Sequence, residues 1–314
     1  MSKTPILIAG PTASGKSALA LHLARGLGGA IINTDSMQIY SGLEVLTAAP
    51  DAAERAAAPH FLYGALDPSQ RCSVGRWARM AVEALADVRA RGLTPIFVGG
   101  TGLYFRSLTE GLSAIPPVPA EIRARAEDLL KTQGNEGLLA HVAARDPETA
   151  RGLRPTDTQR VQRAWEVLEA TGRGLAAWQA EAGAPVLSGP AIRIALEPPR
   201  DWLYARCDAR FDQMLGQGAL DEVAALMNRG LDPTLPAMKA LGVRELADHL
   251  AGHLTLAEAS ERAKMLTRRY AKRQMTWMRN QMTDWPRLDP SRDDALVQGD
   301  ALVDRAVREA DKYL

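Results

Sequence analysis

Cysteine is almost missing from this chain of 314 residues. The two present, Cys72 and Cys207, lie far apart and outside any C-x-x-C pattern. That disfavours a thiolate zinc site or a disulfide scaffold and makes the cytoplasm the expected compartment. Net charge is missing as well: 38 lysines and arginines stand against 37 acidic residues, so any affinity for nucleic acid or a membrane surface has to be built locally. No apolar run approaches membrane-spanning length, and Met1 to Pro5 leads straight into a short apolar segment and glycines without the regions of an export signal. The chain is expected to be neither embedded nor exported. Internal repeats and low-complexity tracts are also absent, and His249 and His253, although spaced i,i+4, lack the glutamate of H-E-x-x-H and a nearby third ligand, so no metal is assigned to them.

The chain does have a composition that is 46% apolar, with length enough for one large domain carrying an insertion, or for two small ones. Short apolar runs at Ile6 to Ala9, Ala30 to Asn33, Phe61 to Leu66, Pro95 to Val98 and Ile192 to Leu196 are predicted strands, and helix-length segments separate the first four. One predicted helix follows the first strand and ends at Gly26, Gly28 and Gly29; another runs from Arg76 to Arg91. This alternation predicts an α/β fold with a parallel sheet and crossover helices. Prolines 116, 117 and 119 open a charged, helix-like stretch that Gly183, Pro185, Gly189 and Pro190 close. Residues 1–115 and 191–314 are therefore expected to form the α/β core, helical again from Asp201 onward, and 116–190 a helical insertion.

Between the first strand and the first helix, Gly10, Pro11, Thr12, Ala13, Ser14, Gly15, Lys16 and Ser17 fit G-x-x-x-x-G-K-[ST]. In such a loop, glycines let backbone N–H groups curl around phosphate oxygens and the helix N-terminus adds positive potential. Lys16 supplies a charge and Ser17 a hydroxyl for Mg2+. The bland reading, a glycine turn that merely caps a helix, has the context against it. Asp35 follows the second apolar run, where strand ends border a ligand crevice; it can take a proton, hold Mg2+ through water, or simply cap a turn. Gly99-Gly100-Thr101-Gly102 follows the fourth run, where a nucleotide hydrolase places an acidic Mg2+ ligand. Here it points to close backbone approach to an anion or to a tight turn. Asp67 is either that acidic ligand displaced or, beside Pro68, a turn residue.

Two basic stretches have both a functional and a structural reading. Gln159, Arg160 and Arg163 lie near the start of a predicted helix in the insertion, capped by Thr156 or Asp157, and grip phosphates and base edges or form a solvated face balanced by Glu166 and Glu169. Arg262 to Arg279 carries seven cations, Arg262, Lys264, Arg268, Arg269, Lys272, Arg273 and Arg279, and no acid. Like charges at i,i+4 are relieved by an anionic partner, either RNA phosphate or a diphosphate, or by acids elsewhere in the fold.

Taken together, Gly-Pro-Thr-Ala-Ser-Gly-Lys-Ser at 10 to 17, Asp-Ser-Met-Gln-Ile-Tyr at 35 to 40, Val-Gly-Gly-Thr-Gly-Leu-Tyr at 98 to 104, the Arg-Pro-Thr-Asp stretch from 154 to 167 and Arg-Tyr-Ala-Lys-Arg-Gln-Met-Thr-Trp at 269 to 277 resemble the tRNA dimethylallyltransferases in order and spacing. The resemblance implies a P-loop NTPase-like parallel sheet with a helical insertion domain. It also implies transfer of a dimethylallyl group from dimethylallyl diphosphate to N6 of the adenosine 3′-adjacent to the anticodon, with Mg2+ and without nucleotide hydrolysis. By the same resemblance Asp35 is the general base, Thr101 binds the diphosphate or orients Asp35, and Lys16, Arg210 and the loop 10–17 hold the diphosphate, with Ser17 on the metal. The tRNA anticodon stem-loop is met by Asp35, Ser36, Met37, Gln38, Thr101, Arg123, Gln159, Arg160, Val161, Gln162 and Arg163, and a monomer is expected. The chain departs from the family pattern at Leu46 and Ala49, which replace the Gly and Lys of G-T-A-K-P, at Trp165 for leucine and at Val243 for tyrosine. Three rivals differ in chemistry: a transferase that prenylates free adenine nucleotides, which has no need of an insertion; a small-molecule P-loop kinase with ATP in the loop; and a nucleotide-switched RNA-binding module without catalysis.

Overall fold

The computed structural model describes residues 3–181, 183–292, 294–295, 298–301 and 303–304. Two compact units emerge, one from residues 1–108 and 186–314 and the other from Thr109–Pro185. In the first unit β1 (Ile6–Ala9), β2 (Gly29–Asn33), β3 (His60–Phe61), β4 (Thr94–Gly99), β5 (Ile192–Leu196) and β6 (Arg287–Leu288) form one six-stranded sheet ordered β3-β2-β4-β1-β5-β6, and every pairing is parallel. α1 (Lys16–Leu27), α4 (Val74–Ala90) and α5 (Gly102–Thr109) are connections that such a sheet requires, with the shorter α2 (Glu44–Thr47) and α3 (Ala52–Ala57) between β2 and β3.

Successive side chains of the central strands enter opposite faces, as a sheet covered on both sides demands. Leu7, Ala9, Ile32 and Phe97 enter one core and Ile6, Ile8, Ile31, Ile96 and Val98 the other, all 2% exposed or less. Each large aliphatic among them contributes about 1.5–3 kcal/mol of burial. In α4, Trp77, Ala81, Ala84, Leu85 and Val88 form a helical stripe. Ser73 caps its first turn by accepting from Arg76 N–H at 3.1 Å. Trp77 stacks on Tyr104 at 4.1 Å and donates its indole N–H to Asn33 O at 3.0 Å, tying the helix to the end of β2.

The strand expected at Phe61 to Leu66 is shorter than its composition predicts. It stops at Phe61 because Leu62 takes a left-handed conformation, φ 64°; Leu66 makes only an isolated bridge with Tyr40. β6 was not predicted, since two residues carry no legible period. After β5 come α10 (Arg200–Gly216), α11 (Ala219–Met227), α12 (Val243–Leu250) and the long α13 (Leu256–Gln281). The basic stretch lies on α13 and is partly neutralised: Lys264 pairs with Asp212 at 2.7 Å and Arg268 with Asp208 at 2.5 Å, both acids on α10, and Arg279 pairs with Glu197 at 2.5 Å. Arg262, Arg269, Lys272 and Arg273 stay exposed.

The second unit holds α6 (Ala120–Arg145), kinked at Gly134 with φ 68°, and α7 (Pro147–Arg151), α8 (Thr158–Thr171) and α9 (Leu175–Gln179). Its own core gathers Ala126, Leu138, Val142, Val161, Ala164 and Trp165. It begins and ends a few residues before the expected 116 and 190, because the incoming and outgoing chains already lie side by side where Gly111 and Gly183 leave no room for a Cβ. Among the described residues no helix is long and apolar enough to cross a membrane.

β4 ends against the backbone that leaves β2: a Cβ on Gly99 would collide with the Thr34 carbonyl and hydroxyl. Backbone cannot yield as a side-chain tip can, so Gly99→Ala is expected to destabilise the chain by about 1–3 kcal/mol. A lower urea midpoint at unchanged m-value checks it; an unchanged midpoint contradicts this packing.

Candidate active site

Because β1 lies between β4 and β5 with β2 beyond β4, three loops meet at the carboxyl edge of the sheet, which is where open α/β sheets bind ligands. The loop 10–17 is fixed by Gly10 N–H donating to Gly99 O at 3.2 Å and by Ser14 N–H donating to Pro11 O at 3.3 Å. Gly15 and, unusually, Ala13 adopt positive φ, 87° and 61°. For alanine that conformation costs about 1–2 kcal/mol, strain of the kind retained where a backbone must turn its N–H groups to one side. Ser14 is fully buried and its Oγ has no hydrogen-bond partner among the described residues.

A residue whose role the sequence left unread closes this loop. Gln274 of α13, 6% exposed, accepts from Thr12 N–H at 2.9 Å and donates its Nε2 to Gly100 O at 3.0 Å. The one signal available was a lone uncharged amide on the buried side of a basic helix. Arg206 of α10 adds a bond from Nε to Ala13 O at 3.0 Å.

The Asp35 loop is held as firmly. The wholly buried Asn33 side chain accepts from Asp35 N–H at 2.7 Å and donates to the carbonyls of Asp35 at 2.9 Å and Leu62 at 3.0 Å. Thr101 N–H donates to Thr34 O at 3.2 Å, and Thr101 Oγ1 accepts from Ser36 N–H at 3.0 Å. Thr101 therefore acts on the loop that carries Asp35. The Asp35 Oδ1 accepts from Met37 N–H at 2.9 Å. Gln38 points away: its Nε2 donates to the carbonyls of Thr47 and Ala48 at 2.9 and 2.8 Å and holds the end of α2.

A cavity of about 250 Å3 opens among these loops, α10 and α13. Thr12, Asp35 and Arg210 give it polar walls, Leu46, Phe211 and Met214 apolar ones; Lys239 and Arg273 are its exposed cations. Of the expected site residues, Thr12, Ala13, Asp35, Ser36, Met37 and Arg210 line it. Lys16 is 8% exposed and its ammonium donates to Pro11 O at 3.2 Å. Burial brings its pKa down to about 8, partly opposed by the charge of Asp35 and reinforced by Arg210. Arg210 is likewise lowered by burial, and its one hydrogen bond among the described residues is a long 3.5 Å contact to Thr47 O. Among the described residues no carboxylate is bound to either cation, an arrangement whose chemistry suits an anion. Ser17 sits exposed in the first turn of α1.

Asp67 takes the turn role. Its carboxylate accepts from Ser69 and pairs with Arg229 at 2.7 Å, and Arg229 holds it well below the usual carboxylate range.

In the helical unit, Asp157 caps α8 by accepting from Arg160 N–H at 3.3 Å. Gln159 and Arg160 are exposed, with Arg160 also 3.3 Å from Asp157 Oδ2. Gln162 donates to the buried Glu166 at 3.1 Å and Arg163 lies 3.8 Å from it, while Glu169 is taken by Arg125 and Arg145. Arg123 is exposed. Val161 is 0% exposed in the unit's core, so its side chain is not available for the RNA contact expected of it.

A glycine loop between strand and helix, two buried cations behind it and a carboxylate beside an apolar wall make this the candidate active site of a P-loop α/β protein. The IPP transferase family model matches residues 38–281, and the isopentenyl transferase model matches 4–58. A tRNA dimethylallyltransferase of Phenylobacterium zucineum is 56% identical over 282 residues, 90% of this chain and 91% of the relative; one of Rhodospirillum centenum is 54% identical over 286, 91% of each. Among solved structures, the tRNA isopentenylpyrophosphate transferase of Bacillus halodurans superposes with TM-score 0.71 at 32% identity, covering 100% of this chain and 99% of that one. A eukaryotic dimethylallyltransferase acting on tRNA gives 0.81 at 29%, covering 96% and 78%. The chain belongs to the tRNA dimethylallyltransferase (IPP transferase) family.

With a pKa of about 8, Lys16 is protonated below pH 8 and neutral above, so diphosphate binding at higher pH must take up a proton. Diphosphate affinity is expected to fall as pH rises through 8, by up to about tenfold per pH unit, and Lys16→Met is expected to remove the part of the slope that Lys16 supplies and leave that of the ligand's own titration. Calorimetric titration with inorganic diphosphate from pH 7 to 9.5 checks it; a flat wild-type profile contradicts the assignment.

Proposed function

We propose that this chain transfers the dimethylallyl group of dimethylallyl diphosphate to N6 of the adenosine 3′-adjacent to the anticodon in tRNA and releases diphosphate. The observation that carries the reading is that one cavity sets Asp35 and Arg210 beside the apolar wall of Leu46, Phe211 and Met214. The diphosphate lies on the loop 10–17, and Lys16, Arg210 and the loop amides stabilise the charge that grows as the carbon–oxygen bond breaks with its electron pair leaving on oxygen. The adenine amine is a weak nucleophile because its lone pair is delocalised; as the N6–carbon bond forms, Asp35 takes the N6 proton.

The chemistry of the donors fits Mg2+. A P-loop metal takes one protein hydroxyl, substrate phosphate oxygens and water, and Ser17 presents that hydroxyl in the first turn of α1. When bound, Mg2+ neutralises the leaving diphosphate.

A base stacked in an anticodon loop reaches such a cavity only by flipping out. Ser36 and Met37 line the cavity where it would enter, and Gln159, Arg160, Gln162 and Arg163, with Arg123, are the residues of the helical unit proposed to hold the stem-loop. A free-nucleotide transferase or a small-molecule kinase would have no use for that unit.

Asp35→Asn is expected to slow single-turnover transfer by about 100-fold or more while RNA affinity stays within a few-fold; loss of binding with normal transfer in the residual complex contradicts the role of base. Changing Gln159, Arg160 and Arg163 together to alanine is expected to weaken anticodon stem-loop binding, spare dimethylallyl diphosphate binding, and flatten log affinity against log salt by up to about two units. An unchanged slope in a folded variant returns this face to solvent.

A further inference from the structure

The apolar end of the cavity rests on an unusually well-fixed segment. α2 is a helix of only four residues, too short to hold itself in place, yet both of its ends are clamped. Glu222 of α11 accepts from Val45 N–H at 2.9 Å and from Leu46 N–H at 2.8 Å, one carboxylate satisfying two N–H donors of the first turn. At the other end Gln38 donates to the carbonyls of Thr47 and Ala48. Between the clamps Leu46, 6% exposed, turns its side chain to the cavity and packs into the main core with Phe211 and Met214. Behind it lies Gly242, where a Cβ would sit 3.0 Å from Leu46 Cδ1 and 3.0 Å from Phe211 Cε2.

We propose that Leu46 sets the length of prenyl chain that the cavity accepts, admitting a five-carbon group and excluding a ten-carbon one. The inference rests on the reading above, in which the donor's diphosphate lies on the loop 10–17 and its hydrocarbon along the apolar wall. A second isoprenoid unit would have to enter space held by Leu46, Phe211 and Met214. The last two stand on the 17-residue α10, whereas Leu46 is a single side chain over a glycine. Trimming it opens space toward Gly242, which the neighbouring side chains refill only in part, because packed interiors relax incompletely. The bond changes are the same for both donors: the C1–O bond breaks with its electrons to diphosphate, the N6–C1 bond forms, and the N6 proton passes to Asp35.

The test measures kcat/KM for dimethylallyl and geranyl diphosphate with an anticodon stem-loop RNA, the products being distinguished by mass, in the wild type, Leu46→Ala and Leu46→Val. The ratio of geranyl to dimethylallyl transfer is expected to be very low in the wild type, to rise by about tenfold or more in Leu46→Ala, and to rise less but in the same sense in Leu46→Val. A variant that is merely less stable loses both activities together and leaves the ratio where it was. Should Leu46→Ala fail to fold, Leu46→Val, one methylene smaller, decides alone. Ratios unchanged in the folded variants, or a wild type that already uses geranyl diphosphate as readily, overturn the inference while the activity stands. A wild type that transfers nothing from dimethylallyl diphosphate overturns the activity itself, and this inference with it.

Discussion

The carboxamide of Gln274 is the interaction on which the rest of the site depends. One side chain from a helix late in the sequence accepts from the P-loop at Thr12 and donates to the β4 loop at Gly100, so two loops from distant parts of the chain are registered against each other to within hydrogen-bond tolerance. Both bonds are partly buried, and an amide that lost either partner would leave polar groups unsatisfied on both sides, a penalty of up to about 1–3 kcal/mol for each group that water cannot reach. The bareness of Gly100 follows, since a Cβ there would occupy the place of the Gln274 amide. The glycines at the end of β4, which the sequence offers as room for an anion or as a tight turn, make room for other protein groups: Gly99 for Thr34, Gly100 for Gln274 and Gly102 for the Trp277 ring.

With the loops so fixed, the electrostatics are set by what surrounds them. Asp208, Asp212 and Glu197 neutralise outer cations of α13, whereas among the described residues no acid pairs with Lys16 or Arg210. Lys16 is held by a carbonyl and feels Asp35 only at a distance great enough that no ion pair forms between them. Partnered cations would be quenched before substrate arrived. On the function proposed above, cations free of carboxylates in a low-dielectric place are held ready for a diphosphate, whose charge grows as the reaction proceeds, so the stabilisation is larger in the transition state than in the ground state.

Much of this was legible in the sequence, for reasons that can be named. β1, the P-loop and α1 are local features: apolar run, glycines and amphipathic helix follow one another without a tertiary contact to decide them. Asp35 and Thr101 were legible as strand-end residues and through the family pattern. Gln274, Asn33 and Glu222 were not, because each acts on a segment of chain that only the sheet order brings near; Asn33 in sequence is simply the polar end of a strand. Val161 is the opposite case: in sequence it lies within the stretch that the resemblance sets against RNA, but a helix divides neighbours among faces about 100° apart, and its side chain belongs to the core of the helical unit. The short β3 failed for a backbone reason, the left-handed Leu62, held by the Asn33 amide that also holds Asp35.

Two departures from the family pattern, Leu46 and Val243, become intelligible as one. Both are buried in the same core, at 6% and 1% exposure, and Val243 is next in the chain to Gly242, whose bare Cα faces Leu46. Leucine in place of glycine adds a four-carbon side chain at 46, and valine in place of tyrosine removes a ring at 243, so the space between α2 and α12 can stay filled at constant packing density while its contents change hands. Such an exchange is neutral for stability only if total volume is kept, and it need not be neutral for shape: Leu46 is a wall of the cavity and Val243 is not. Exchanging bulk between the two positions therefore moves apolar volume from behind the cavity to its surface, and alters the contour met by a substrate without touching Lys16, Asp35 or the P-loop.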